Sequence, residues 1–359
     1  LLMKKLAFLS DTRYIDKPFW ILFGILLVVA VIALFSAGST LAYNMSHSIL
    51  SPLLKQIVVL LMGACLAYLL QFVPSAYVKF GGYLLWGISV LLLYLVLVMP
   101  GTFGATINGA GRWFSLGPVQ FQPSEFAKLS LIIVVADRLS RIHNDQDAKR
   151  EFYITLIGTG ITVFPIFTGN LSTAVLMVMV VGLMWILARM PWKYVLSTMG
   201  IGAIFLVMGY CIVEFHYVRQ HRTIESGPFK RAITWVGRVD DMLSEGDEDE
   251  AEFRINDDNY QRSLAKVAIA RGGKSPLGVL PGNSKERDYL PLAYADYIFA
   301  IIVEETGVIG AIFLIFIYLA ILFRACYASC RQYDFSAMLM VMSLALMITL
   351  QALISMSVS

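Results

Sequence analysis

Charged residues are scarce in this sequence, and their scarcity excludes most classes of soluble protein. Asp, Glu, Lys and Arg make up only 15% of the 359 residues, whereas about 25% is typical of a soluble globular domain. Hydrophobic residues account for 58%, and the mean hydropathy is +0.71. Several apolar runs reach about 20 residues, enough to cross a hydrocarbon core of roughly 30 Å. The composition predicts a polytopic membrane protein, and the small net charge of +3 gives no indication of nucleic-acid binding.

Cysteine, histidine and nucleotide-binding motifs are equally sparse. The four cysteines lie in or beside apolar segments without the spacing of a disulfide framework or a zinc site, and the four histidines are scattered over loops and span ends. The chain has no Walker loop, dinucleotide fingerprint or HExxH sequence. No cleavable signal peptide is evident, because the first basic residues precede an apolar run that resembles an uncleaved span.

The apolar segments predict an all-α bundle of nine spans, forming one integral membrane domain over residues 1–359. On one side of the membrane the short loops contain thirteen Lys and Arg, and on the other only Lys55 and Arg112. Because cytoplasmic loops collect positive charge, this distribution predicts a cytoplasmic N-terminus and an extracytoplasmic segment 215–294. An odd number of spans is most simply explained by one further span missing at the C-terminal end. The predicted spans are 18–38, 53–73, 78–99, 124–140, 153–168, 171–190, 194–214, 295–324 and 336–358.

The large extracytoplasmic loop, residues 215–294, changes character along its length. Residues 219–238 are basic with interleaved aromatic side chains, which suits a stretch lying on the membrane surface against anionic headgroups. Residues 240–258 are strongly acidic, and their spacing fits no calcium loop, so we expect a solvated, mobile insert.

A predicted helix follows the acidic insert and ends in a basic glycine turn. The helix covers residues 259–270 and includes Gln261 and Ser263 among apolar residues. The turn Arg271-Gly272-Gly273-Lys274 combines flexible backbone amides with two cations, a combination that can hold a phosphate, although a lone glycine pair is weak support.

Asp296 stands where the large loop meets the next apolar span. Glu304 and Glu305 follow about two helical turns later, roughly 12 Å further along the axis. An ionisable group at such a depth is costly unless it has a partner or a function. Asp296 by itself is consistent with a helix N-cap or first-turn acid and equally with a functional carboxylate.

A second informative stretch covers residues 101–128. Its glycines predict an irregular loop, after which Pro123 suits the first turn of a helix. Glu125 and Lys128 lie three residues apart on that helix, so they share a face and form either a salt bridge at headgroup level or part of a polar cavity. Arg112, next to Trp113, is either a snorkelling interface residue or a bidentate phosphate ligand.

Both stretches match one known family. The sequences NGAGRWFSLGPVQFQPSEFAK and NDDNYQRSLAKVAIARGGKSPLGVLPGNSKERDYLPLAYADYIFAIIVEETG resemble the signatures of the SEDS family (shape, elongation, division, sporulation; FtsW/RodA type), in wording closer to division-type than to elongation-type members. The resemblance covers essentially the whole chain. It implies a ten-span fold, about nine spans being present, in the bacterial cytoplasmic (inner) membrane. It also implies a peptidoglycan glycosyltransferase that polymerises lipid II beside a class B penicillin-binding protein and other division proteins.

The resemblance assigns roles to individual residues. It makes Asp296 the essential acid of an outward-facing site, and it matches further motif positions at Arg112, Glu125, Lys128, Gln261 and Ser263. Two departures stand out. Residues 169–173 read GNLST where the family usually has Pro-Asp-Leu-Gly-Thr, and the chain ends before the family's last loop and span.

The implied reaction joins the 4-hydroxyl of one lipid-linked disaccharide to the anomeric carbon of another. Asp296 would act as general base. Arg112, Lys128, Arg271 and Lys274 are candidates for holding the leaving pyrophosphate, with or without a divalent cation such as Mg²⁺ or Mn²⁺. The alternatives are a lipid II flippase or another transporter, and a non-catalytic scaffold for wall-synthesis proteins. The sequence shows no convincing inverted repeat, which argues against the transporter.

Overall fold

The computed structural model describes residues 16–44, 50–98, 104–107, 110–116, 119–198, 200, 260–280, 283–285 and 297–358. Most of the predicted span 194–214, together with the stretches 219–238 and 240–258, lies outside these ranges. The described chain forms nine long helices and one small sheet. The helices are α1 (Lys17–Asn44), α2 (Leu50–Leu70), α3 (Ser75–Val98), α4 (Pro123–Leu139), α5 (Asp145–Gly169), α6 (Leu171–Leu187), α7 (Tyr260–Gly273), α8 (Ile298–Ser329) and α9 (Phe335–Val358).

The predicted helical membrane fold is confirmed. Four helices of the described chain are long and apolar enough to cross a membrane, over Lys17–Ser36, Ser75–Val98, Ile298–Ser329 and Phe335–Val358. Many large apolar side chains on these helices are exposed, Phe316 by 63% and Phe323 by 73%. In water such a surface would promote aggregation, whereas in a membrane it contacts the hydrocarbon tails of the lipids. The chain is therefore a multi-pass membrane protein.

A three-stranded antiparallel sheet precedes α4. It consists of β1 (Gly104–Ile107), β2 (Ala110–Leu116) and β3 (Val119–Phe121), paired in the order β1-β2-β3. The prediction of an irregular loop missed this sheet. Ile107 pairs with Ala110, so only Asn108 and Gly109 connect the first two strands, and Asn-Gly is the dipeptide that favours two-residue hairpins.

The chain divides into two compact units. The first, which we call the α8 unit, comprises Leu1–Gly87, Lys128–Asp137 and Ile255–Ser359; the second, the α5 unit, comprises Ile88–Ala127 and Arg138–Arg254. In the α8 unit, helix α8 packs against α1, α7 and α9. In the α5 unit, helix α5 packs against α6 and contacts β2.

Helix α8 is broken at Gly307. This residue has φ 70° and ψ −167°, a conformation closed to residues with a side chain. The break leaves the carbonyls of Glu304 and Glu305 without their normal helical donors, and the amides of Val279 and Leu280 donate to them at 2.9 Å each. A loop before the helix thus replaces the missing hydrogen bonds, which a buried backbone requires.

The α8 unit carries a polar network at one end of its helices. Lys79, at the start of α3, donates to Asp334 at 2.8 Å and lies 3.9 Å from Asp137, at the end of α4. The Tyr83 hydroxyl donates to Asp137 at 2.9 Å. The network joins the start of α3, the end of α4 and the residue preceding α9, all of which the charge distribution predicts on the cytoplasmic side.

In the α5 unit, polar contacts join neighbouring helices. Arg138 Nε lies 2.7 Å from Glu151 Oε2, and both side chains are largely buried. Trp185 Nε1 donates to Thr155 Oγ1 at 3.1 Å, between α6 and α5. Asn170 separates α5 from α6 and caps the latter, because its side-chain oxygen accepts from the amide of Thr173.

Candidate functional site

A fully buried carboxylate organises the polar part of the α8 unit. Glu304 has no exposed surface. It accepts from Arg271 Nη1 at 3.2 Å, from the backbone amide of Lys285 at 3.2 Å, and from the hydroxyl of Ser284. A buried charge is tolerated only when it is paired and hydrogen-bonded, and Glu304 meets both conditions. We call these four residues the Glu304 cluster.

Small residues bring α7 close enough to α8 to form this cluster. Ala265 and Ala268 on α7 are fully buried, in one core with Ala300 and Ile301 on α8. At the end of α7, a Cβ on Gly272 would lie 2.1 Å from the carbonyl oxygen of Val303. No side chain fits there, so the backbones of α7 and α8 are in contact at the last turn of α7.

Gln261 and Ser263 lie on α7 as predicted, but the helix continues through Arg271, Gly272 and Gly273, where the sequence predicted a glycine turn. Ser263 is buried, Gln261 is half-buried in the first turn, and Lys274 is exposed just beyond the last turn. Arg271 is about one-third exposed, and its guanidinium binds Glu304. The sequence analysis noted both residues but did not predict their ion pair, because 33 positions separate them in the chain.

Lys128 is a second buried charge of the α8 unit. It is only 2% exposed, and its ammonium donates to Gln351 Oε1 on α9 at 3.0 Å. Ser124, one turn earlier on the same side of α4, is also buried. The contact with Gln351 was not predicted, because nothing in an isolated glutamine indicates its partner.

Two other predicted residues belong to the α5 unit. Glu125 is exposed in the first turn of α4, where a negative charge suits the helix dipole. Its pairing with Lys128 stays a prediction. Arg112 lies on β2 at a bulge: the register pairs Ala105 with Trp113 and Thr106 with Gly111, and so skips Arg112. Bulges often occur beside functional sites, where they redirect the strand.

Asp296, the predicted general base, lies outside the described residues. The described chain resumes at Tyr297, and α8 begins at Ile298. Its assignment to the site stays a prediction.

A resident metal finds no support in the described residues, where no group of three or more His, Cys, Asp or Glu side chains is placed to hold a metal ion. Glu304, the most enclosed carboxylate, is surrounded by an arginine, a hydroxyl and an amide. Each of these three groups donates a hydrogen bond to the carboxylate. The dependence on Mg²⁺ or Mn²⁺ stays a prediction.

The Asn170 cap explains one departure from the family pattern. Aspartate and asparagine are about equally good N-caps. Asn170 has extended backbone angles, φ −155° and ψ 95°, and performs the capping itself. The amide therefore preserves the local structure where the usual acid is absent.

Comparison with known proteins identifies relatives of this chain. Residues 16–359 match the family model FTSW_RODA_SPOVE, described as cell cycle protein. The chain is 30% identical to the probable peptidoglycan glycosyltransferase FtsW of Saccharophagus degradans, over 97% of this chain and 84% of that protein. It is 24% identical to the peptidoglycan glycosyltransferase MrdB of Escherichia coli, over 89% of this chain and 77% of that protein.

Solved structures agree with these matches. One, of a peptidoglycan synthase complex that coordinates polymerization and crosslinking, superposes with a TM-score of 0.66 and 25% identity over 94% of this chain and 86% of that chain. The rod shape determining protein RodA of Thermus thermophilus superposes with a TM-score of 0.62 at 23% identity, over 96% of this chain and 85% of that chain, and shows the same fold. With a family model covering nearly the whole sequence, and with higher identity to the FtsW of S. degradans than to the MrdB of E. coli, the chain belongs to the FtsW/RodA/SpoVE (SEDS) family and is more similar to its FtsW-type members.

Proposed function

We propose that this protein is a peptidoglycan glycosyltransferase that polymerises lipid II into glycan strands during septal wall synthesis. The observation that carries the proposal is the near-full-length similarity to proteins named as peptidoglycan glycosyltransferases. The similarity extends through both long motifs, and among their described residues Lys128, Glu304 and Glu305 are buried charged side chains on helices. Such groups are costly in a membrane protein without a function.

The chemistry requires a base and a set of cations. The 4-hydroxyl of the acceptor sugar attacks the anomeric carbon of the donor, the bond from that carbon to the pyrophosphate oxygen breaks, and lipid pyrophosphate leaves. Asp296 takes the hydroxyl proton, a contribution typically worth roughly 10²–10⁴-fold in rate. Its position in the sequence, directly before α8 and on the predicted outer side of the membrane, supports this role.

Lys128, Arg271 and Lys274 stabilise the charge that develops on the leaving pyrophosphate. Lys128 is held rigidly by burial and by Gln351, and Arg271 is held by Glu304. Cations fixed before the reaction stabilise developing charge without reorganising, which is why such groups are effective. By resemblance Arg112 is a further cation of this set, and the acid Glu125 maintains the shape of the cavity.

The partner we propose is a class B penicillin-binding protein, which would crosslink the strands that this chain makes. Support comes from the similarity to the synthase complex, in which polymerization and crosslinking are coordinated. The proposed location is the bacterial cytoplasmic membrane, with the N-terminus inside and the site facing outward.

The test is polymerisation by the purified chain of lipid II in detergent, with and without a class B penicillin-binding protein. We expect glycan polymer from the wild type and none from Asp296→Asn, with unchanged thermal unfolding of the variant. Movement of lipid II across vesicles without polymer would instead identify a flippase. If the protein shows neither polymerisation nor transport in the presence of the partner, it is a scaffold.

A further inference from the structure

We propose that Glu304 is a positioning residue, which orients Arg271 and the basic segments beside it toward the diphosphate of the lipid substrate. The inference rests on the proposed function and adds to it a residue that acts through its neighbours, without itself contacting substrate. All four residues of the Glu304 cluster belong to the α8 unit.

The cluster joins two chain segments to one carboxylate. Arg271 comes from the end of α7, while Ser284 and Lys285 come from a segment ten residues later. Each of the three contacts donates to the carboxylate, so the ionised form satisfies all of them. Hydrogen bonds to an ionised acceptor are roughly twice as strong as neutral ones, which makes Glu304 the main anchor for both segments.

The anchored segments are unusually basic. Arg271 binds the carboxylate directly, and the exposed side chains of Lys274 and Lys285 lie within or next to the same two segments. A buried negative charge among these cations offsets their mutual repulsion and fixes where the guanidinium points. Positively charged groups fixed around a concave backbone turn are what a diphosphate needs.

The backbone contacts around the cluster show that the loop is held in place. The amides of Val279 and Leu280 bind the carbonyls of Glu304 and Glu305. Gly272 and Gly278 have no room for a side chain, since a Cβ on Gly278 would lie 2.5 Å from the carbonyl oxygen of Glu304. Side-chain and backbone bonds therefore position the same loop on the same turn of α8.

Glu305 provides a matched control within the same turn. It is also buried, at 4% exposure, but its carboxylate accepts from the hydroxyl of Ser36 on α1. The two adjacent acids thus have the same chemistry and nearly the same burial, and their side chains bind different elements. Replacing either one by Gln removes the charge without changing the shape.

The experiment compares Glu304→Gln, Arg271→Gln, the double variant, Ser284→Ala and Glu305→Gln. Two quantities are measured on the purified proteins in detergent: kcat/KM for lipid II polymerisation, and the Kd for undecaprenyl pyrophosphate. We expect Glu304→Gln to lower kcat/KM at least ten-fold and to raise Kd by a similar factor. The double variant should lose no more than Arg271→Gln alone, since contacting residues are non-additive. Ser284→Ala should give an intermediate loss.

The control separates positioning from general stability. Glu305→Gln should lower the thermal unfolding temperature about as much as Glu304→Gln while changing the Kd less than two-fold. Equal losses of diphosphate affinity in both variants would overturn the proposal, as would wild-type affinity in Glu304→Gln. The Kd is measured without turnover, so it does not depend on polymerase activity. If the wild type binds the diphosphate but makes no polymer, the proposed function is contradicted. The binding data then still decide whether Glu304 positions Arg271.

Discussion

At the scale of single residues, the two buried charges of the α8 unit depend on neutral partners as well as on ionic ones. Lys128 donates to the amide oxygen of Gln351, and Glu304 accepts from a serine and a backbone amide in addition to Arg271. A side-chain amide can satisfy part of an ammonium group without cancelling its charge.

Replacing Gln351 by Leu tests this arrangement. The change keeps the approximate size of the side chain but removes an acceptor from a cation that is 2% exposed. Losing a hydrogen-bond partner of a buried polar group costs about 1–3 kcal/mol. We expect a lower unfolding temperature in detergent and a raised KM for lipid II.

Ile348→Leu, on the same helix but 46% exposed, serves as the control and should behave as wild type. Gln351→Glu should also lower lipid II affinity, since a carboxylate neutralises Lys128. Unchanged KM in both Gln351 variants would show that this contact does not influence the site.

Individual residues also show how much of the site can be predicted from the sequence. Lys128 and Ser263 were predicted as site residues from motif position; both are buried, and their part in a site stays a prediction. Glu304 was noted because an acid at that depth needs a partner, and the structure supplies Arg271. The partner itself could not be predicted, because pairing across 33 residues depends on how α7 packs against α8.

At the scale of elements, the break in α8 is the feature on which the loop geometry depends. Gly307 has φ 70°, and a Cβ there would lie 2.4 Å from the carbonyl oxygen of Pro276. Both the backbone angle and the contact exclude a side chain. Gly307 in the sequence does not indicate a helix break, because glycine in membrane helices is common and usually marks close packing.

Gly307→Ala should therefore disrupt both the helix break and the loop 276–280. A strained backbone conformation costs about 1–3 kcal/mol, before the steric overlap is counted. We expect a large fall in unfolding temperature and loss of polymerase activity. Gly87→Ala is the control, because nothing lies within 4 Å of its added Cβ. Equal stability of the two variants would contradict the structural role of Gly307.

The network at the start of α3 gives a pH dependence. The hydrogen bond from Lys79 holds the pKa of Asp334 below its ordinary value. A carboxyl whose pKa is lowered in the folded state stabilises the fold above its unfolded pKa, about 3.9, and loses that contribution as the pH falls through the folded value. Asp334→Asn should therefore lower the unfolding temperature slightly at pH 7.

The difference between Asp334→Asn and wild type should shrink as the pH is lowered below about 4. The effect is small because the Asp334 side chain is 44% exposed and solvent screens the pair. Unfolding curves recorded across this pH range provide the measurement. Asp145→Asn, at an exposed position in the first turn of α5, is the control for loss of a surface acid. A constant difference at all pH values would show that the ion pair is not its cause.

At the scale of the whole molecule, most of the helical architecture was predictable and the small sheet was not. Long apolar runs separated by basic loops predict spans directly, since only a helix satisfies its own backbone in hydrocarbon. The sheet at residues 104–121 was missed because its strands are at most seven residues long and lie in a stretch with many glycines between them. The sequence signal for the sheet was the dipeptide Asn108-Gly109, which favours a two-residue hairpin but does not specify which flanking residues pair.

The orientation of the molecule in the membrane follows from charge and parity, and helix α8 allows a direct test. Leu277, in the loop before α8, and Tyr333, just after it, are both exposed. Leu277 follows Pro276, whose carbonyl accepts from the amide of Ile309, and from Ile309 to Ser329 the helix rises roughly 30 Å. We predict that Leu277 faces outward and Tyr333 inward, because the basic side chains Arg324 and Arg331 accompany the latter.

The measurement uses a chain whose four cysteines are replaced by serine, with a single cysteine returned as Leu277→Cys or Tyr333→Cys. A membrane-impermeant maleimide should label the first in intact cells and the second only after permeabilisation. The reverse pattern would move the Glu304 cluster to the cytoplasmic side, where the loop before α8 could not take part in wall synthesis outside the membrane. The same two variants, purified and assayed with lipid II, confirm that the labelled protein is active, since neither side chain belongs to the proposed site.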